Sequence, residues 1–148
     1  MNSFEISPAL EADLPSIATV SLAAFKDSPN TMSYWIFPQD NHEAIYRWRL
    51  HGVIDRFHND PTTYLYKCVD TATTRIVSFA LWQKPHASTG NEEQDAQKSV
   101  KNGEETDIDA LPEGTNVALK KDFDEATLQM RRKYVNMGKD YSEDLSFS

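Results

Sequence analysis

The first quarter of the chain changes from a strand-like to a helix-like hydrophobic pattern. Phe4-Glu5-Ile6 alternates and ends at Pro8, which has no amide hydrogen for a ladder, so it predicts a first strand at a sheet edge. Asp13 then stands at an N-cap position with Pro15 in the first turn. An amphipathic helix near residues 14–26 follows from the apolar positions Leu14, Ile17, Ala18, Leu22 and Phe25.

A loop with many large apolar residues separates this helix from a second one. Asp27-Ser28-Pro29-Asn30 breaks the helical period, and the loop continues through Met32, Tyr34, Trp35, Phe37 and Pro38. Asp40 and Glu43 have the spacing of a capping box and suit the positive end of a helix dipole, so we interpret them as capping residues. A second helix near residues 41–59 is indicated by the apolar stripe of Ile45, Leu50, Val53, Ile54 and Phe57.

Two β-rich runs come next and predict an antiparallel hairpin. Thr63–Val69 and Arg75–Gln83 are rich in aromatic and β-branched residues, and the polar connector Asp70–Thr74 forms a five-residue loop between them. The first strand, near residues 4–7, is expected to join these two in one sheet.

The composition changes sharply after Pro85. Residues 86–115 are rich in Ser, Thr, Asn, Gln, Gly and acids, with too little apolar surface to offset the entropy of ordering them, which predicts a disordered acidic insertion. Helical periodicity returns over residues 116–137, and Gly138 is placed as its C-terminal stop. The pattern therefore indicates a single domain, residues 1–148, of α/β (α+β) class: a three-stranded antiparallel sheet packed with about three helices.

The charge of the chain is concentrated in the insertion. Residues 86–115 contain eight acids and two lysines, so they carry −6 of the net charge of −8, and the rest is nearly neutral. Nothing here resembles the clustered Lys and Arg of a nucleic-acid surface. No apolar run approaches the roughly 18 residues of a membrane span, and the start lacks the basic and apolar regions of a secretory signal. With one cysteine, this favours an intracellular, cytoplasmic protein.

Few residues suggest catalysis or metal binding by their own pattern. His51 and His58 are seven residues apart on one predicted helix, whereas helical ligand pairs stand three or four apart, so a solvated helix face is the favoured interpretation. Cys68 lies in a predicted strand without a histidine nearby in sequence, which favours core packing over a nucleophile. We expect no metal site.

Two segments carry a family resemblance. Residues 4–18, with Ala24-Phe25 following, resemble the opening of the GNAT superfamily of N-acetyltransferases, and Ile76–Trp82 resembles that family's third strand. The long polar insertion followed by a helix is similar to a subgroup met most often in filamentous fungi. The likeness covers residues 4–83 and, more weakly, 116–138. It departs from the family at Ser7, which is often Arg, and at Ser78, which is often Gly.

The resemblance implies a partial GNAT-like fold, acetyl-CoA as donor and a small-molecule or peptide amine as acceptor. The family holds the donor with an Arg/Gln-x-x-Gly-x-Gly/Ala turn after a fourth strand, and this chain has no such motif. The family's general base and its leaving-group tyrosine also lie beyond that strand, so the resemblance gives no catalytic residue in this chain. By resemblance, Trp35, Phe37 and Trp82 would wall the acceptor site; the alternative is that their rings cover the core.

Two functions remain open from the sequence. One is a GNAT-like acetyltransferase that is an incomplete, truncated or inactive copy. The other is a non-catalytic interaction module that self-associates or pairs with another chain through the unpaired edge of the Arg75–Gln83 strand.

Overall fold

A computed structural model of the chain describes residues 3–26, 28–84 and 111–134. These residues fall into two compact units, which we treat separately. The larger unit contains the described residues up to 84 together with 111–116, and the smaller contains 117–134. That residues 1–148 form a single domain stays a prediction.

Three strands form one antiparallel sheet in the larger unit. They are β1 (Phe4–Pro8), β2 (Thr63–Asp70) and β3 (Arg75–Gln83), in the spatial order β1-β2-β3. The predicted hairpin and edge position of the first strand are confirmed. Pro8 is tolerated because it is the last residue of β1, opposite Tyr66.

The helices of the larger unit lie between β1 and β2 in sequence. Helix α1 is Leu14–Phe25, α2 is Met32–Ile36 and α3 is His42–Asn59. The predicted helices near 14–26 and 41–59 are confirmed, and so is the α+β class. Helix α2 replaces part of the predicted loop. Its five residues are too few to show a helical period in the sequence, so the pattern did not predict it.

One capping prediction is wrong. Helix α3 begins after Asn41, whose side-chain oxygen accepts a hydrogen bond from the Ala44 amide at 3.2 Å. Asp40 lies one residue too early to cap it, and Glu43 instead accepts a 2.9 Å hydrogen bond from Arg47 one turn later on the exposed surface. An asparagine serves as well as an aspartate at this position, so the pattern alone did not choose between them.

The core lies between α1, α3 and one face of the sheet. Leu14 and Ile17 of α1 are 1% exposed and pack with Ala9 and with Leu65 of β2. Burying each of these large side chains contributes roughly 1.5–3 kcal/mol. Partly buried residues complete the cluster: Leu50, Val53, Ile54 and Phe57 from α3, and Ile76, Phe79 and Leu81 from β3.

The predicted insertion is only partly within the described residues. Residues 86–110 lie outside them. Residues 111–115, which were expected to belong to the insertion, instead form a turn in which the Thr115 amide donates to the Pro112 carbonyl oxygen at 3.1 Å. The Asn116 amide then donates to the carbonyl oxygen of Ile36 at 2.8 Å, which attaches this turn to the end of α2. Gly114 has a φ of +88° and passes close to Pro38, a conformation and approach that favour glycine.

The smaller unit contains helix α4, Val117–Tyr134. The predicted third helix is confirmed over these residues, and its expected end at Gly138 lies outside the described part. Lys120 and Asp124 form an ion pair one turn apart along α4. None of the described helices combines the length and the apolar character needed to span a lipid bilayer.

A partly buried ion pair joins the start of α1 to the sheet. Asp13 occupies the N-cap position of α1 but makes no side-chain capping bond to it. Its carboxylate accepts hydrogen bonds from Lys67 Nζ of β2 at 2.6 Å and from the Leu10 amide at 2.7 Å. Burial raises the pKa of Asp13, but the two hydrogen bonds and the charge of Lys67 outweigh it and hold this pKa below its usual value.

We expect stability to fall in acid partly through this pair. Because the pKa of Asp13 is lower in the folded state, its contribution is present above the unfolded pKa of about 3.9 and is lost as the pH falls through the folded value. Lys67→Met should cost about 2 kcal/mol at neutral pH and reduce the loss on acidification. Urea unfolding between pH 7 and 2 measures both effects. Arg47→Met, which breaks an exposed pair, is the control and should cost under about 1 kcal/mol; equal effects of the two substitutions would contradict the prediction.

Candidate functional site

The three aromatic residues predicted to wall an acceptor site have different surroundings. Phe37 is 8% exposed and packs against Trp48 of α3 with ring centroids 4.9 Å apart. Trp35 is 59% exposed and donates from Nε1 to the Pro29 carbonyl oxygen at 2.9 Å. Trp82, near the end of β3, is 66% exposed. Phe37 is therefore a core ring, while Trp35 and Trp82 are available to a ligand.

The described contacts do not bring these three rings together. The ring contact of Trp35 is with Tyr34, edge-on at 5.3 Å, and that of Phe37 is with Trp48. Trp82 stands opposite Tyr64 in the register of β2 and β3. Acceptor binding by Trp35 and Trp82 stays a prediction.

The face of the sheet turned away from the core is apolar and largely exposed. Side chains alternate between the two faces along a strand. Leu65 and its cross-strand partner Leu81 point to the helices, so the residues next to them in each strand point to the other face. Ile6 and Trp82 are 74% and 66% exposed, and Phe4 is 60% exposed. We call this surface the open sheet face; it comprises Phe4, Ile6, Pro8, Tyr64, Tyr66, Cys68, Ser78, Ala80 and Trp82.

The open sheet face ends at an unprotected strand edge. Among the described residues, β3 pairs only with β2, so its other edge has no neighbouring strand. Its segment Ile76–Trp82 contains no charged residue and no proline. The opposite edge strand, β1, is shorter and carries Glu5 and Pro8, two features that discourage pairing with another chain.

Cys68 and the two histidines do not form a reactive centre in the described structure. Cys68 is half-buried on the open sheet face, on the side away from the core, so the prediction that it packs in the core is wrong. Side chains alternate between the two faces along a strand, and Cys68 is three residues from the buried Leu65, so the two side chains point to opposite faces of the sheet. His51 is exposed, and Nε2 of His58 lies 3.1 Å from Oε1 of Glu11. The described residues contain no group of three or more potential metal ligands.

A partly buried arginine lies where the three helices of the larger unit meet. Arg49 of α3 donates from Nη1 to Ser21 Oγ of α1 at 2.6 Å and from Nη2 to Ser33 Oγ of α2 at 2.9 Å. Its guanidinium carbon lies 5.8 Å and 5.9 Å from the ring centroids of Phe25 and Phe37. Its Nε is buried without a hydrogen-bond partner. Burial lowers the pKa of Arg49, although an arginine stays charged at neutral pH.

Sequence reasoning missed the Arg49 cluster. The one available signal was its spacing, since Arg49 follows Ile45 by four residues and therefore falls next to the predicted buried stripe of α3. A charged residue in that position needs partners, but the partners are serines from two other helices. Their approach depends on α2, which the pattern did not predict.

Comparisons with known proteins give no family for this chain. No protein-family model, no curated protein and no solved structure matches it.

The stabilities of three alanine variants should separate the core ring from the exposed rings. Phe37→Ala should lower the free energy of unfolding by about 3 kcal/mol because it leaves a cavity beside Trp48. Trp35→Ala should cost about 1 kcal/mol through its single hydrogen bond, and Trp82→Ala less. Urea denaturation at neutral pH measures all three; a loss for Trp82→Ala as large as that for Phe37→Ala would mean that the open sheet face is covered.

Proposed function

We propose that this chain supplies the acceptor-side half of a GNAT-like N-acetyltransferase, and that acetyl transfer requires a donor half that these 148 residues do not contain. The order of β1, the helices, β2 and β3, with all neighbours antiparallel, agrees with what the resemblance of residues 4–83 leads one to expect. The donor motif is absent from the sequence, so the chain acts only with a second element that binds acetyl-CoA.

The open sheet face is the observation that carries this proposal. Stable domains bury a sheet between layers, and an uncovered apolar face usually marks an interaction surface. Here helices α1 and α3 cover one face, while Phe4, Ile6 and Trp82 are largely exposed on the other. A further strand at β3 and a layer over the open sheet face would complete a sheet of this kind.

The chemistry proposed for the completed site is direct acyl transfer. The acceptor amine nitrogen attacks the thioester carbonyl, a C–N bond forms and the C–S bond breaks. The thiolate of coenzyme A leaves and takes up the proton that the amine loses, directly or through solvent. Much of the rate would come from holding the two reactants together. Trp35 and Trp82, both more than half exposed, are the rings that we propose position an acceptor. No residue of this chain is assigned as the base.

The chain alone should not bind acetyl-CoA appreciably. A pyrophosphate needs converging backbone amides or basic side chains, and the five glycines of the chain, each isolated in sequence, supply no cradle motif. Titration calorimetry with acetyl-CoA should give no saturable heat, whereas an intact GNAT enzyme run in parallel should. A dissociation constant in the low micromolar range would reveal a donor site in this chain.

The donor half itself can be sought directly. Transcripts that contain this reading frame can be sequenced, and polypeptides that co-purify with the chain from its source can be identified by mass spectrometry. We expect a strand followed by Arg/Gln-x-x-Gly-x-Gly/Ala either in a transcript or in a co-purifying polypeptide. If both lack such a segment, acetyl transfer is rejected and the second function below remains.

The second function is a non-catalytic interaction module, and the unguarded edge of β3 favours it. An antiparallel pair of two β3 strands centred on Phe79 would set Ser78 opposite Ala80 of the second copy, with no like charges facing over Ile76–Trp82. Main-chain hydrogen bonds along this edge would then join two copies of the chain or add a strand from another protein.

Two lysine substitutions should distinguish the edge of β3 from the open sheet face. Self-association through the edge should be abolished by Ser78→Lys, because a charged edge strand resists pairing. Ile6→Lys places the same charge on the same face but at the opposite edge, and should leave edge association intact. Analytical ultracentrifugation over a concentration series measures both. Wild-type protein that stays monomeric would contradict self-association, and loss in both variants would point to the face rather than the edge.

A further inference from the structure

Arg49 is a partly buried cation that has no counter-ion within the described part of the chain. Among the described residues, no carboxylate makes an ion pair with it. Lys67, which is also partly buried, is neutralised by Asp13 at 2.6 Å. A buried charge is costly unless it is paired, so the absence of an acid at Arg49 calls for an explanation.

The hydrogen bonds of Arg49 leave much of its donor capacity unused. A guanidinium has five N–H donors. Ser21 and Ser33 accept one each, and the buried Nε has no partner. Two serine hydroxyls are neutral and do not balance the charge. Each hydroxyl also keeps its own hydrogen, which is available to donate to an incoming acceptor.

The aromatic rings next to Arg49 make the position favourable for an anion. Phe25 and Phe37 lie at nearly equal distances from the guanidinium carbon, 5.8 Å and 5.9 Å, and keep bulk water from part of it. An ion pair formed in such surroundings is stronger than one in water. Phe25 is 42% exposed, so the cluster is reached from the surface of α1.

We propose that Arg49, Ser21 and Ser33 form a binding site for a single carboxylate group. One guanidinium balances one negative charge, and its planar N–H groups match the two oxygens of a carboxylate. A phosphate dianion would need a second cation, whereas Arg49 is the single cation of this cluster. The exposed ring of Phe25 favours a carboxylate attached to an apolar group. The site is independent of the open sheet face and of acetyl transfer.

Binding of acetate, with acetamide as the neutral molecule of the same shape, tests the site. The readout is the 15N–1H spectrum, including the Nε–H signal of Arg49, whose burial slows its exchange with solvent. At constant ionic strength, acetate should shift this signal and the amides of Ser21 and Ser33 saturably, while acetamide should not. Shifts of equal size with both molecules, or none with acetate, would overturn the proposal.

Matched variants show which groups hold the ligand. Arg49→Lys keeps the charge but loses the planar fork and should weaken acetate binding at least several-fold. Ser21→Ala and Ser33→Ala should each weaken it by a smaller factor. Arg47→Gln, two residues away on the exposed side of α3, should leave it unchanged. If Arg49→Lys binds acetate as the wild type does, Arg49 only clamps the three helices together and the proposal is wrong.

Two further probes identify the kind of carboxylate and do not depend on variant folding. Inorganic phosphate that binds more tightly than acetate would contradict a carboxylate site. A short peptide with a free C-terminus, compared with its amidated form, distinguishes a peptide carboxylate from a small molecule. Binding of the free form above the affinity of acetate supports a peptide ligand. Exclusion of both peptides, with acetate bound, supports a small carboxylate.

Discussion

The packing of α1 against α3 and β3 is the contact on which the larger unit depends. Leu14 and Ile17 are almost fully buried in one cluster with Leu65 of β2, and the ion pair of Asp13 with Lys67 fixes the start of α1 to that strand. The apolar contacts supply most of the stabilisation, because each large side chain contributes on the order of 2 kcal/mol. The ion pair helps to fix the register of β2 in the sheet, because a one-residue slip of β2 would turn Lys67 to the other face.

Much of this fold follows from local patterns in the sequence. The strands were predictable because β-branched and aromatic residues are concentrated between clear turn signals, and α1 and α3 because each shows an apolar stripe over several turns. Helix α2 was not predictable, since its five residues are held by long-range packing of Ile36 and Phe37 rather than by a period of their own. The cap of α3 differed by one residue, which lies within the usual uncertainty of helix ends.

The candidate sites were less predictable than the fold because they depend on contacts between distant residues. The exposure of Trp82 required knowing which face of the hairpin the helices cover, and the alternation of residues gives two faces without choosing between them. The Arg49 cluster joins residues 21, 33 and 49 from three helices. A sequence pattern reports only neighbours along one element, so a cluster of this kind appears only when the elements are placed together.

A bulge in β3 limits how many further strands can add at the unpaired edge of the sheet. Cys68 stands opposite Ser78 but Val69 stands opposite Ile76, so Val77 is an extra residue in β3. The extra residue turns Ile76 toward the core and increases the local twist of the strand. Strands that twist strongly do not stack into flat, indefinitely repeating sheets. The bulge thus limits fibril growth along this edge, as charged residues or proline do in other edge strands, and leaves β3 able to accept a single partner.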